Sequence, residues 1–192
     1  MYVFNWHANE RIRRDLLTRI GDSQTLKRTD KVFAAVHRLV APHDGKWGGA
    51  DLHDRILGET PVTLYRTLTD EGPSFHVSIH DHVVQEAKAG RLKSVDLRIE
   101  LQKFSPADRV QVILDGKTLG EPAVRTAARE GAHKPSDVSQ NSWLVWPLDP
   151  HKAEQGAHEV QIRLLKRDPR IKPPLVVQSV EFHVSYTSGG SS

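Results

Sequence analysis

From Pro73 onward the chain repeatedly alternates apolar and polar residues with period two, and this pattern constrains its fold more than any other feature. Phe75, Val77 and Ile79 alternate with His76, Ser78 and His80, and Val95, Leu97, Ile99 and Leu101 alternate with Asp96, Arg98 and Glu100. Val110, Val112 and Leu114 repeat the pattern and run into Asp115-Gly116. That pair suits a tight hairpin with Lys117 to Leu119 returning. Trp143 to Leu148, then Val160, Ile162 and Leu164, then Val180, Phe182, Val184 and Tyr186 add at least three more strands. About seven or eight one-sided strands need two packed sheets to bury their apolar faces, so a sandwich is expected. Glu121 to Asn141 is polar, lacks a sustained period and reads as a long loop.

The first seventy residues have a different pattern. Tyr2 to Trp6 reads as a short strand, and Asn9 is placed to cap a helix with Ile12, Leu16, Leu17 and Ile20 on one face and Gly21 as its stop. Asp22 or Ser23 suits the cap of a short helix through Leu26, and Val32, Phe33, Val36 and Leu39 suggest a further helical turn or two. One β-α unit cannot bury both its faces, so the downstream domain, a second chain or a further segment must cover it. Ala41 to Gly58 is rich in Gly, Asp and His and reads as a loop, Pro61 to Leu68 as a strand, and Thr187 to Ser192 as a flexible polar tail. The expected division is 1–40 strand and helices, 41–72 linker loop and strand, 73–186 sandwich, and 187–192 tail.

Composition excludes several function classes. At 192 residues, with 38% hydrophobic and 27% charged, the chain can bury an ordinary core. Its 27 basic and 24 acidic residues are interspersed, so no nucleic-acid partner is expected. The densest basic group, Lys166, Arg167, Arg170 and Lys172, is broken by Asp168, Pro169 and Ile171 and reads as a solvated loop. The absence of cysteine removes disulfides, thiolate metal sites and cysteine nucleophiles. No stretch approaches a membrane span, and the N-terminal order, apolar before charged, is the reverse of a signal peptide. Compartment stays open, with export of a parent protein among the alternatives.

Three stretches carry a family resemblance. RVQVILDGKTLGEP resembles the hairpin of galactose-binding-like jelly rolls attached to glycoside hydrolases, WLVWPLDPHKAEQGAHEVQIRLLKR resembles their later strand pair, and PLVVQSVEFHVSY their closing pair. Ahead of them, MYVFNWHANERIRRDLLTRIGDSQTLKRTDKVF looks like the end of a (β/α)8 barrel of glycoside-hydrolase-like proteins, through Asn5 and Trp6, then Ile20 to Asp22, then Asp30 and Lys31. The resemblance implies a mainly β chain: a galactose-binding-like jelly-roll β-sandwich preceded by a short β-α barrel remnant with helices. It also implies that Met1 is internal to a longer protein, whose missing barrel holds the catalytic carboxylates. The chain is then a non-catalytic accessory region, structural or weakly carbohydrate-binding. The alternative is a stand-alone protein-protein or carbohydrate-binding module, and an unaided enzyme ranks last.

The candidate carbohydrate contacts are Asn5 and Trp6 at the mouth of the barrel strand, Trp47 in the Gly-rich loop, and Trp146. Trp143 and Trp146 are three apart, so on a regular strand they face opposite ways: one in the core, the other a sugar platform or packed on the N-terminal segment. No catalytic set, metal or cofactor is assigned. His76 and His80 share a strand face, but four residues along a strand separate their rings by roughly 13 Å, too far for one ion. His43, Asp44, Asp51, His53 and Asp54 form a second loose group, read as a polar loop.

Overall fold

Period-two patterning puts every second side chain of a strand on one face, and here those faces close on each other. The computed structural model describes residues 29–36, 58–64, 72–126 and 141–187. Its strands are β1 (Lys31–Ala34), β2 (Val62–Leu64), β3 (Ser74–Ile79), β4 (Leu92–Gln102), β5 (Arg109–Leu114), β6 (Lys117–Thr118), β7 (Ala123–Thr126), β8 (Ser142–Pro147), β9 (Gly156–Lys166) and β10 (Leu175–Tyr186). A short helix α1 (Val83–Lys88) joins β3 to β4, and a 3₁₀ turn at Pro150–Lys152 precedes β9. The larger sheet runs β1-β10-β4-β8-β7 with β2 also on β10, the smaller runs β3-β9-β5-β6, and all pairings are antiparallel. The chain is thus a mainly β sandwich.

One core fills the space between the sheets. Leu97, Ile99 and Leu101 of β4, Val180, Phe182 and Val184 of β10 and Leu144 of β8 meet Phe75, Val77, Val160 and Ile162 of the smaller sheet. Each large side chain so buried contributes about 1.5–3 kcal/mol. The Asp115-Gly116 hairpin forms as its sequence demands, with φ of 48° and 74° at the two loop residues, the left-handed pair that matches strand twist. The Asp115 carboxylate also accepts from Glu159 N (2.9 Å) and lies 2.7 Å from His158 Nδ1, fastening the turn to β9.

Two segments depart from the sequence reading. Residues 31–34, expected as helical turns, form an edge strand. Phe33 packs on the core while Val32 and Val36 stand 54% and 62% exposed. The apolar spacing that suggested a helix therefore does not share one buried face, and pairing with β10 decides the conformation. Ala123–Thr126, expected as loop, forms β7 against β8. Because β1 and β2 share the free edge of β10, the sandwich also recruits residues ahead of Pro73. The expected strand at 2–6, the helices at 9–26 and the 41–57 loop lie outside the described residues.

Two polar networks tie distant segments together. The Tyr186 hydroxyl donates to the Asp81 carboxylate, Lys31 Nζ sits 2.5 Å from the same carboxylate and 5.0 Å from the Tyr186 ring centroid, and Asp30 accepts from Tyr186 N at 2.9 Å. Burial first, then the Asp81 hydrogen bond, pushes the Tyr186 hydroxyl far above its ordinary pKa. At another crossing, the β4–β5 loop meets the β9–β10 loop through buried Asp108 and Asp168. Asp108 accepts from Ser105 N (2.8 Å), Arg167 Nη1 (2.5 Å) and Asp168 N (2.7 Å). Asp168 accepts from Ser105 Oγ (2.7 Å) and from the Arg170 guanidinium and backbone N–H. The basic loop is solvated at Lys166, Arg170 and Lys172, as expected, but it also supplies Arg167 and Arg170 as partners to two buried carboxylates.

Candidate functional site

Strand alternation that sends Leu97, Ile99, Phe182 and Leu144 inward sends their neighbours to the outer face of the larger sheet. Register aligns those neighbours in rows. Across β10, β4 and β8 one row reads His183, Asp96 and Pro147; with β7 added, the next reads Glu181, Arg98, Val145 and Ala123, and the third Ser179, Glu100, Trp143 and Arg125. Glu181 and Arg98, of opposite charge, therefore face each other directly between β10 and β4, the favourable cross-strand arrangement.

Short contacts fix these side chains. His183 Nε2 lies 2.6 Å from Glu181 Oε2, Ser179 Oγ donates to Glu181 Oε1 at 2.6 Å, and Arg98 Nη2 donates to Asp96 Oδ2 at 3.0 Å. Asn141 Nδ2 donates to Glu100 Oε1 at 2.6 Å, orienting the carboxylate that neighbours Trp143. The His183 contact, ahead of Ser179 and the Arg98 charge, holds the Glu181 carboxyl below its usual range despite partial burial. Val145, on this outer face and so apart from the cluster between the sheets, is nonetheless buried. Arg98, Asp96, Glu181 and His183 are all partly solvated, although Arg98 Nε itself is buried and, among the described residues, without a hydrogen-bond partner.

Chemically, the face offers an indole ring, ordered carboxylates and guanidinium donors spread over four strands. Such a surface suits a flat ligand with hydroxyl edges and C–H faces: a ring stacks on the indole while paired carboxylates and guanidinia exchange hydrogen bonds with the hydroxyls. Among the described residues, no group of three or more His, Asp or Glu is arranged to hold a metal ion. No helix among them is long and apolar enough to cross a membrane.

No family model matches the chain, and no curated protein does.

Of the residues singled out from sequence, Asn5, Trp6 and Trp47 lie outside the described residues. Trp146 is 5% exposed, packed in the core with its indole N–H donating to Gly120 O at 2.7 Å, so its ring faces are taken by protein. Of the two faces open to the 143/146 pair, Trp143 holds the outer one, half-buried between Glu100 and Arg125. His76 and His80 are exposed at the other sheet, as a polar strand face requires. The charged rows themselves were present in the sequence as the polar half of the alternation, but nothing in one strand reveals which strand lies beside it.

Proposed function

We propose that this chain is a non-catalytic, carbohydrate-contacting accessory region of a glycoside-hydrolase-like protein, a galactose-binding-like jelly roll whose larger sheet presents the contact face. The observation that carries the reading is Trp143, set on the outer face between Arg125 and Glu100, whose carboxylate is held by a hydrogen bond from Asn141. A half-buried indole beside ordered polar groups matches the two-sided chemistry of a sugar ring. The expected contact is weak, because only part of the Trp143 ring is exposed to a ligand.

A second reading, a stand-alone binding module, is favoured by a separate observation. Asp30 and Lys31, assigned by resemblance to the exit from a barrel, are bound to Tyr186 and Asp81 of the sandwich itself. Genomic sequence upstream of Met1 separates the two: in-frame strand and helix patterns support the accessory region, and an adjacent stop codon the stand-alone module.

Titration with soluble polysaccharides, followed by tryptophan fluorescence in the native chain and in Trp143→Phe, tests the contact itself. A saturable change in the native chain that the variant lacks is expected. No change with any polysaccharide in a folded sample counts against sugar binding under either reading.

A further inference from the structure

A second concavity lies at the open edge of the sandwich, where the β5–β6 hairpin faces β7 across the gap between the sheets. Its volume is about 490 Å³, within the range of small-molecule sites. Leu144 and Leu119 line it from the core side, together with Phe104. At its mouth stand Val124 of β7 and Leu165 of β9, 52% and 53% exposed, one on each sheet. They are two of only four large apolar side chains so exposed among the described residues. Strand-edge packing alone does not require two such side chains to flank one cleft.

The walls are preformed. Trp146 Nε1 donates to Gly120 O at 2.7 Å and Leu119 N to Val112 O at 2.9 Å, pinning the segment that leads from β6 into β7. Two groups of opposite charge also line the cleft, Arg109 and Glu121. Arg109 Nη1 donates to Pro106 O and Asp108 O, each at 3.0 Å, and among the described residues its Nε and Nη2 donors have no partner. The Asp108 carboxylate, also in the lining, is engaged by Ser105, Arg167 and Asp168.

We infer that this cleft binds a neutral amphipathic small molecule, with its apolar body between Leu119, Leu144 and Leu165 and a hydroxyl-bearing head between Arg109 and Glu121. Neutrality follows from the rim, which carries one charge of each sign: a singly charged head meets one opposite and one like charge and so gains no net attraction for its lost hydration, whereas a hydroxyl both accepts from the guanidinium and donates to the carboxylate. The site is independent of the Trp143 face.

The test uses three probes of one chain length: 1,2-octanediol, octanoate and octylammonium. Each is titrated into ¹⁵N-labelled protein while the indole N–H resonances are followed, assigned with Trp→Phe variants. The Trp146 indole signal, whose N–H is bonded to Gly120 O of the cleft wall, is expected to shift saturably with the diol and several-fold less with either ion. Leu165→Asp, with Val124→Asp as a second variant at an equally exposed position, is expected to weaken the diol by at least about tenfold. An unmoved Trp146 signal, an equal response to all three probes, or undiminished binding by both folded variants would overturn the inference. A diol response confined to Trp143 would also overturn it. Polysaccharide binding read on Trp143 stands or falls separately.

Discussion

The crossing at Asp108 and Asp168 and the rows at Asp96 and Glu181 hold carboxylates against basic side chains in opposite settings, arginines at the crossing and Arg98 and His183 on the outer face. At the crossing both carboxylates are sealed from solvent, and each takes a donor from the loop about sixty residues away, Arg167 and the Asp168 N–H on Asp108 and the Ser105 hydroxyl on Asp168, while the exposed Arg170 adds a local pair to Asp168. On the outer face the pairs form along a single strand, two residues apart, and remain partly solvated. A charge stripped of water needs its partner, so the first network fixes where two loops cross. A charge still in water gains little from its partner, so the second network mainly orients side chains that solvent or a ligand can reach.

The largest effect is expected from breaking the lock. Asp108→Ala leaves two backbone N–H groups without their acceptor and takes the carboxylate from Arg167, which keeps only Lys103 O and Pro173 O, and should lower unfolding free energy by about 3–5 kcal/mol in urea denaturation. A loss under about 1 kcal/mol would erase the contrast between the networks. Acid titration sharpens it. Arg170 first, then Ser105, holds the Asp168 carboxyl well below the usual carboxylate range, so its stabilisation is fully present above about pH 4 and is lost as pH falls toward the folded value. Asp168→Asn should therefore flatten the acid side of a melting-temperature profile. Glu181→Gln carries the same sign, since Glu181 is also lowered, and should flatten the profile less because its side chain is partly solvated. Equal flattening by both would contradict the distinction.

Smaller again is the expected cost of Asp96→Asn, about 0–1 kcal/mol, as for other solvated pairs. A loss as large as that of Asp108→Ala, measured in the same urea series, would mean that the outer face is structural.

The strands from Phe75 onward were legible because one face of each is buried and the other wet, which writes period two into the residues themselves. The Asp115-Gly116 hairpin was legible because both loop residues need positive φ. What the sequence hid was non-local. β1 pairs with a strand some 150 residues away, and no signal within Lys31–Ala34 announces that partner. β8 reads Ser-Trp-Leu-Val-Trp-Pro, apolar on both faces, because Val145 is covered on the outer side while Leu144 and Trp146 fill the core. Alternation there cannot say which tryptophan turns outward. The Asp108–Asp168 lock was equally invisible, since Asp168 looked like an interruption in a basic loop rather than the group that Arg170 serves.

The central claim, that Trp143 belongs to a ligand-contacting face and not to the fold's support, is tested most directly by native gels cast with soluble polysaccharides. Wild type and Trp143→Ala are run side by side, with thermal melts to show that both are folded. Retardation of the wild type by at least one polysaccharide, reduced in Trp143→Ala with its melting transition kept, is the predicted result. Equal mobility shifts of the two proteins, or a wild type that no polysaccharide retards, would contradict it.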